Sequence, residues 1–241
     1  MNSTKGSPHG TNKKTAIIVG VLFIIALVFN ILGMAIYEPI LDAPDYLDKT
    51  FPNKILVIIG LLIDFICIPA IILIPIVAFP ILKQHNERLA LGYVGFRAFE
   101  GILFTFSIIK SLSLISLSKE YISAGAQHAS YYQAIGNSIH AQSHWATLIY
   151  IIVFTLGASM FYYVLFKSKL IPRIISVWGL FSAAILFTGA LIGMFDLFPL
   201  TQVMTFFSPP FILNELTLAI WLIVKGFNSS TIVSGSAKTG K

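Results

Sequence analysis

The chain has 241 residues, of which 56% are apolar and only 11% charged, and its mean hydropathy is +0.86. Soluble domains carry about 25% charged residues, so this chain lacks the charge to cover a water-facing surface, and a soluble domain is excluded. Sixteen Lys and Arg against ten Asp and Glu give a net charge of +6, but the cations sit in short segments between apolar runs, which fits the positive-inside bias and argues against nucleic-acid binding.

Residues 1–14 form a polar leader with Lys5, Lys13 and Lys14, read as a disordered cytoplasmic N-terminus. The first apolar run, 15–36, exceeds the about 7–15 residues of a signal-peptide core and reads as a retained span. An acidic loop follows with Glu38, Asp42, Asp45 and Asp48. The second span, 54–82, contains Pro69, Pro75 and Pro80, and a link with Lys83, His85, Glu87 and Arg88 leads to the third, 89–111. A polar stretch at 118–142 precedes the fourth span, which ends near Phe166. Lys167, Lys169 and Arg173 mark the next link, the fifth span covers 174–195, and the sixth covers 210–224. Residues 228–241 read as a flexible cytoplasmic tail, leaving 15–227 as one membrane domain. Cys67 is the single cysteine and lies in an apolar run, so no intrachain disulfide forms.

With the N-terminus inside, eleven basic residues fall in cytoplasmic segments, and only Lys49, Lys54, Lys110 and Lys119 fall outside. This asymmetry places both termini in the cytoplasm and requires an even number of spans. The expectation is an all-α polytopic membrane protein: six transmembrane helices in one bundle in a prokaryotic plasma membrane. A shared Phe-x-x-x-Glu pattern at Phe96–Glu100 and Phe211–Glu215 is read as chance rather than an internal repeat.

Ionisable groups in a bilayer are costly and need a partner, water or a proton. Asp64, Arg97, Glu100 and Glu215 are such groups, with Asn214 beside the last. Arg97 and Glu100 share a helix face at i, i+3 and are expected to pair, leaving Asp64 and Glu215 without an evident cation. Pro69 cannot donate to the carbonyl of Phe65, which predicts a kink next to Asp64. Counting about 1.5 Å per residue from the outer span ends sets Asp64, Arg97 and Glu100 in one layer, with Glu215 and His144 above it. Gln133, Asn137, His140, His144 and Thr147 recur at alternating spacings of four and three, a polar stripe on one helix face. His140 and His144, with Glu215, are the residues to consider for a transition metal, although no H-E-x-x-H is present. Gly189 and Gly193 form a G-x-x-x-G suited to close helix approach.

The chain also resembles a bacterial six-span family known as domain of unknown function 4386. The resemblance runs through Glu87–Leu91, Arg97-Ala98-Phe99-Glu100, His144, Leu170–Ile174 and the closing Asn214–Gly226, and covers about residues 15–227. It implies polar positions at Asp64, Arg97, Glu100, His144 and Glu215, and no specific activity.

Three readings follow. The first is small-solute or ion and proton handling, by transport or sensing, with Asp64, Glu100 and Glu215 as proton or cation contacts, Arg97 as counter-charge and the His140/His144 face at an outer opening. The second is a structural or partner-binding subunit in which the buried charges fasten helices. The third is an intramembrane metal-dependent hydrolase using His140, His144 and Glu215. With no nucleotide or hydrolase fingerprint, the reading leans away from an enzyme and expects no cofactor. The expected partners are the lipid bilayer, a small ligand or ion, and a second copy of the chain.

Overall fold

The computed structural model describes residues 8–125 and 128–228. The expected leader and tail lie outside the described residues at 1–7 and 229–241, whereas 8–14 are already helical. The described residues hold eight helices: α1 (Pro8–Leu41), α2 (Tyr46–Lys49), α3 (Lys54–Phe65), α4 (Cys67–Ala124), α5 (Ala129–Ser168), α6 (Arg173–Met194), α7 (Leu200–Phe207) and α8 (Pro209–Val224). No strand occurs among them.

Near Pro69, where a kink is expected, the helix is interrupted: α3 and α4 are separated by Ile66 alone, two residues beyond Asp64, and the Ile66 backbone stays in the α region (φ −61°, ψ −24°). A second break lies at Asn86, whose backbone is extended (φ −159°, ψ 100°) within α4. Its side-chain Oδ1 accepts from the Leu89 N–H at 3.0 Å, so Asn86 caps the helix that restarts after it. The two arms of α4 then run back along each other. Gly101 on the second arm faces Ile72 and Ile68 on the first, with the Ile72 Cδ1 3.0 Å from where a Cβ would stand. Further out, the Ser118 hydroxyl accepts from the Phe51 N–H at 2.9 Å and donates to the Leu47 carbonyl at 2.5 Å, tying the second arm to α2.

Among the described residues, four stretches are long and apolar enough to cross a membrane: Asn12–Leu41, Lys54–Ala124, Ala129–Ser168 and Arg173–Met194. Joined as one broken span with a 45° bend, α7 and α8 make a fifth. The stretch Lys54–Ala124 has 71 residues, roughly 105 Å of helix if straight, so the turn at Asn86 is what fits it to a layer about 30 Å thick. Large apolar side chains point outward on several helices, among them Ile55, Leu62, Leu91, Ile102, Ile174, Phe181 and Phe206. Such a surface is unstable in water and suited to lipid. The protein is a helical membrane protein.

In the bundle, α1 packs against α3, α4 and α8, while α5 lies between α4 and α6. The backbones of α1 and α3 approach closely at two glycines. A Cβ on Gly33 would stand 2.8 Å from the Gly60 carbonyl oxygen and 2.7 Å from the Asp64 Cβ. The G-x-x-x-G of α6 is used, but for separate neighbours: Gly189 faces Phe207, and Gly193 faces Leu148 and Val203. The main core is built around Tyr93, Phe161, Tyr162, Leu148 and Phe211.

Candidate functional site

Arg97 is on the second arm of α4, one helical turn from Tyr93 and from Glu100, so all three share a face. Its Nη1 donates to both Glu100 carboxylate oxygens, at 2.9 and 3.0 Å. The Nη2 reaches Glu215 Oε1 on α8 at 3.5 Å, and Nε donates to the Tyr93 hydroxyl at 3.3 Å. The guanidinium also sits over the rings of Phe154, Tyr93 and Phe23, at 5.1, 5.6 and 5.9 Å from their centroids. The expected Arg97–Glu100 pair is therefore present. Glu215 is not without a cation, as the sequence spacing implies, because α8 packs it into the same cluster. Arg97 and Glu100 are 4% and 1% exposed, so these charges stand in a low dielectric where each depends on the other.

Asp64 belongs to a different layer. Asn30 Nδ2 donates to its Oδ1 at 2.9 Å and the Tyr37 hydroxyl to its Oδ2 at 3.0 Å, while the Cys67 thiol lies 3.7 Å from Oδ1. On α1, Phe23 marks the level of Arg97 and Asn30 that of Asp64. Seven residues separate them, roughly 10 Å of helix. The single layer expected for Asp64, Arg97 and Glu100 is thus two layers, and Glu215 lies in the deeper one with Arg97.

Both layers open into one cavity of about 500 Å³. Its acidic lining comprises Glu38, Asp42, Asp64, Glu100 and Glu215, against the single guanidinium of Arg97. His140, His144, Thr147 and Tyr150 of α5 and the apolar faces of Phe23, Phe104, Phe154 and Phe211 complete much of the wall. At the Asp42 end, the ring of Tyr46 meets that of His140 edge-on, with centroids 4.6 Å apart. Desolvation raises the Asp42 carboxyl above the usual carboxylate range, and the facing His140 draws it partly back. Asp45, bonded to Lys49 Nζ at 2.8 Å, is held below that range by this partner.

The polar stripe of α5 is helical throughout but serves two places. His140, His144 and Thr147 line the cavity, whereas Gln133 and Asn137 line a separate groove against Pro44–Asp48 and Tyr121. The Thr147 hydroxyl is spent on the Ser143 carbonyl at 2.9 Å. Asn214 is next to Glu215 in sequence but turned toward α6, where its Nδ2 donates to the Ile175 carbonyl at 3.0 Å. It is not part of the cavity wall.

The ligand set His140, His144 and Glu215 is not assembled. Among the described residues, no three His, Cys, Asp or Glu side chains converge on a metal position. Glu215 is bound at the Arg97 level, which Phe154 marks on α5, and His144 is ten residues up that helix, roughly 15 Å away.

Asn30, Tyr37, Cys67 and Tyr150, the last beside Glu100, are site residues that spacing along single helices does not find, whereas Tyr93 stands one turn from Arg97 on the same helix and was overlooked. The available signals were the i, i+4 spacing of Tyr93 and Arg97 and the amide of Asn30, alone in a long apolar run. Lys110, counted among the cations on the outer side, is 5% exposed, its Nζ near the Phe106 ring and without a hydrogen-bonding partner.

The fold and the site define a class: a helical membrane protein with buried charges lining an internal cavity. The particular family is the one described as domain of unknown function (DUF4386), whose model matches residues 18–226, and the chain belongs to it. No curated protein and no solved structure matches the chain.

Proposed function

We propose that this chain is a multi-pass protein of a bacterial plasma membrane that handles a small cationic solute or protons through the acid-lined cavity. Six crossings are supported by counting each arm of α4 once and the bent α7–α8 pair once. The distribution of basic residues supports both termini in the cytoplasm. The observation that carries the functional reading is the charge imbalance: five carboxylates and one guanidinium line a single cavity. In a low dielectric the uncompensated negative charge calls for a proton or a cationic ligand. The cavity volume is in the range of small-molecule sites, about 300–1,000 Å³. The reading needs no cofactor; its partners are the bilayer and the solute.

The test is uptake by purified protein in proteoliposomes under an imposed pH gradient, with a panel of radiolabelled small amines and an internal pH dye. Asp64→Asn and Glu215→Gln are expected to abolish or shift the pH dependence of flux while helical content and unfolding temperature stay near the parent's. Unchanged flux in both variants overturns the reading.

One observation favours the structural alternative. Arg97 and Glu100 are bidentately paired and joined to α8 through Glu215, as a helix fastener would be. On that reading, an Arg97→Met/Glu100→Gln double replacement changes assembly alone. The metal-hydrolase alternative has no set of converging ligands among the described residues to support it.

A further inference from the structure

Where α5, α6 and α8 meet, outside the lining of the cavity, four polar side chains are almost wholly buried. Tyr162 is 1% exposed, and Ser176, Ser182 and Asn214 are 0% exposed. The Tyr162 hydroxyl, both serine Oγ atoms and Asn214 Oδ1 have no hydrogen-bonding partner. Buried polar atoms are rarely left so, because each has given up its bonds to water without replacement.

Their placement is not scattered. Ser176, Gly179 and Ser182 recur every three residues on one face of α6. The end of the Tyr162 ring fills the space over Gly179, its Cζ 2.6 Å from where a Cβ would stand. The hydroxyl of Tyr162 is thereby brought to α6 with a serine one turn to either side. The bond from Asn214 Nδ2 to the Ile175 carbonyl holds the amide next to Ser176 and leaves Oδ1 free. The Tyr162 ring also meets that of Phe211 edge-on, with centroids 6.0 Å apart, one helical turn before Glu215 on α8. Ser176 is three residues from Arg173, where α6 begins.

We propose that Tyr162, Ser176, Ser182 and Asn214 enclose bound water that links Glu215 to the Arg173 end of α6. Water is the ligand this chemistry takes: hydroxyls that donate and accept, an amide oxygen that accepts, and no charge of their own. Glu215 itself is bonded to Arg97, which holds Glu100 and Tyr93, and Tyr162 packs on Phe211 one turn before Glu215 on α8. Tyr162 touches both the α6 face, at Gly179, and α8, at Phe211, so it joins the two regions. The presence of water stands by itself; its use as a proton route away from Glu215 rests on the ion-handling reading above.

The experiment is radiolytic hydroxyl footprinting of the full chain in nanodiscs. Radicals born from bound water oxidise the side chains beside it, even where bulk solvent does not reach. Tyr162 is expected to be oxidised in the parent and to fall to background in Ser176→Ala/Asn214→Val, while its neighbour Phe161, 2% exposed, stays unmodified in both. Background oxidation of Tyr162 in the parent, or oxidation unchanged in the double variant, overturns the proposal. If the double variant does not fold, the unfolding temperature of Tyr162→Phe decides. A dry cluster predicts a rise on removing an unpaired hydroxyl, and a hydrated one predicts a fall. Failure of the ion-handling reading shows separately, as pH-independent flux in the Asp64→Asn comparison, and leaves the Tyr162 footprint unchanged.

Discussion

At the scale of single residues, Arg97 is the side chain on which most others depend. It neutralises Glu100, reaches Glu215 and is enclosed by three aromatic rings, so its removal leaves two carboxylates facing each other out of water. Breaking a buried pair in this one-sided way costs about 3–5 kcal/mol, far more than removing both partners. Arg97→Met is therefore expected to lower the unfolding temperature in detergent sharply. Adding Glu100→Gln should recover part of the loss, because it removes one of the stranded charges. Strict additivity of the two changes would show that the contact is not energetically coupled. The pairing of Arg97 with Glu100 was legible from their spacing along one helix. Its reach to Glu215, 118 positions away, was not, because nothing in a sequence orders one helix beside another.

At the scale of elements, two features shape the site. The cap at Asn86 turns one very long helix into a hairpin and sets Glu100 on the arm that runs back beside the first arm of α4, which follows Asp64 of α3. The glycine contact between α1 and α3 then brings Asn30 and Tyr37 within hydrogen-bonding distance of Asp64. Gly33→Ala would set its Cβ against backbone and against Asp64 itself, atoms that cannot swing away. It is expected to destabilise the protein and to loosen Asp64 from both partners. Gly95→Ala is the matched control. Its Cβ meets nothing within 4 Å, so the change should be neutral or stabilising by up to about 1 kcal/mol through helix propensity. Thermal unfolding of the two variants side by side checks this, and equal destabilisation would refute the contact. The charged link at 83–88 and the proline near Asp64 made both helix breaks readable in advance. The Gly33–Gly60 contact was invisible because its two glycines stand on different helices and form no local motif.

At the scale of the whole molecule, the proposed orientation puts the α2 loop outside and the α5–α6 link inside. The native thiol favours a direct measurement, since Cys67 is buried and offers little background. Asp48→Cys is expected to react with a membrane-impermeant maleimide in intact cells, and Lys167→Cys only after the cells are opened. Reversed labelling would invert the topology, and labelling of both from outside would break the even number of crossings.

Composition and hydropathy by themselves determined that this chain lies in a membrane, where its apolar runs fall and where they break. These follow from local cost: a charge, a proline or a glycine acts where it stands, whatever the rest of the chain does. The helix spacing of His140, His144 and Thr147 was local in the same sense and is kept in α5. What those residues meet was decided only by tertiary structure. Packing split the expected polar layer in two, gave Glu215 its cation, turned Asn214 away from the cavity and kept His144 far from Glu215. The reason is physical: depth along separate helices can be estimated from counting, but their tilt, rotation and partners are set by side-chain volumes and glycine contacts that act between helices.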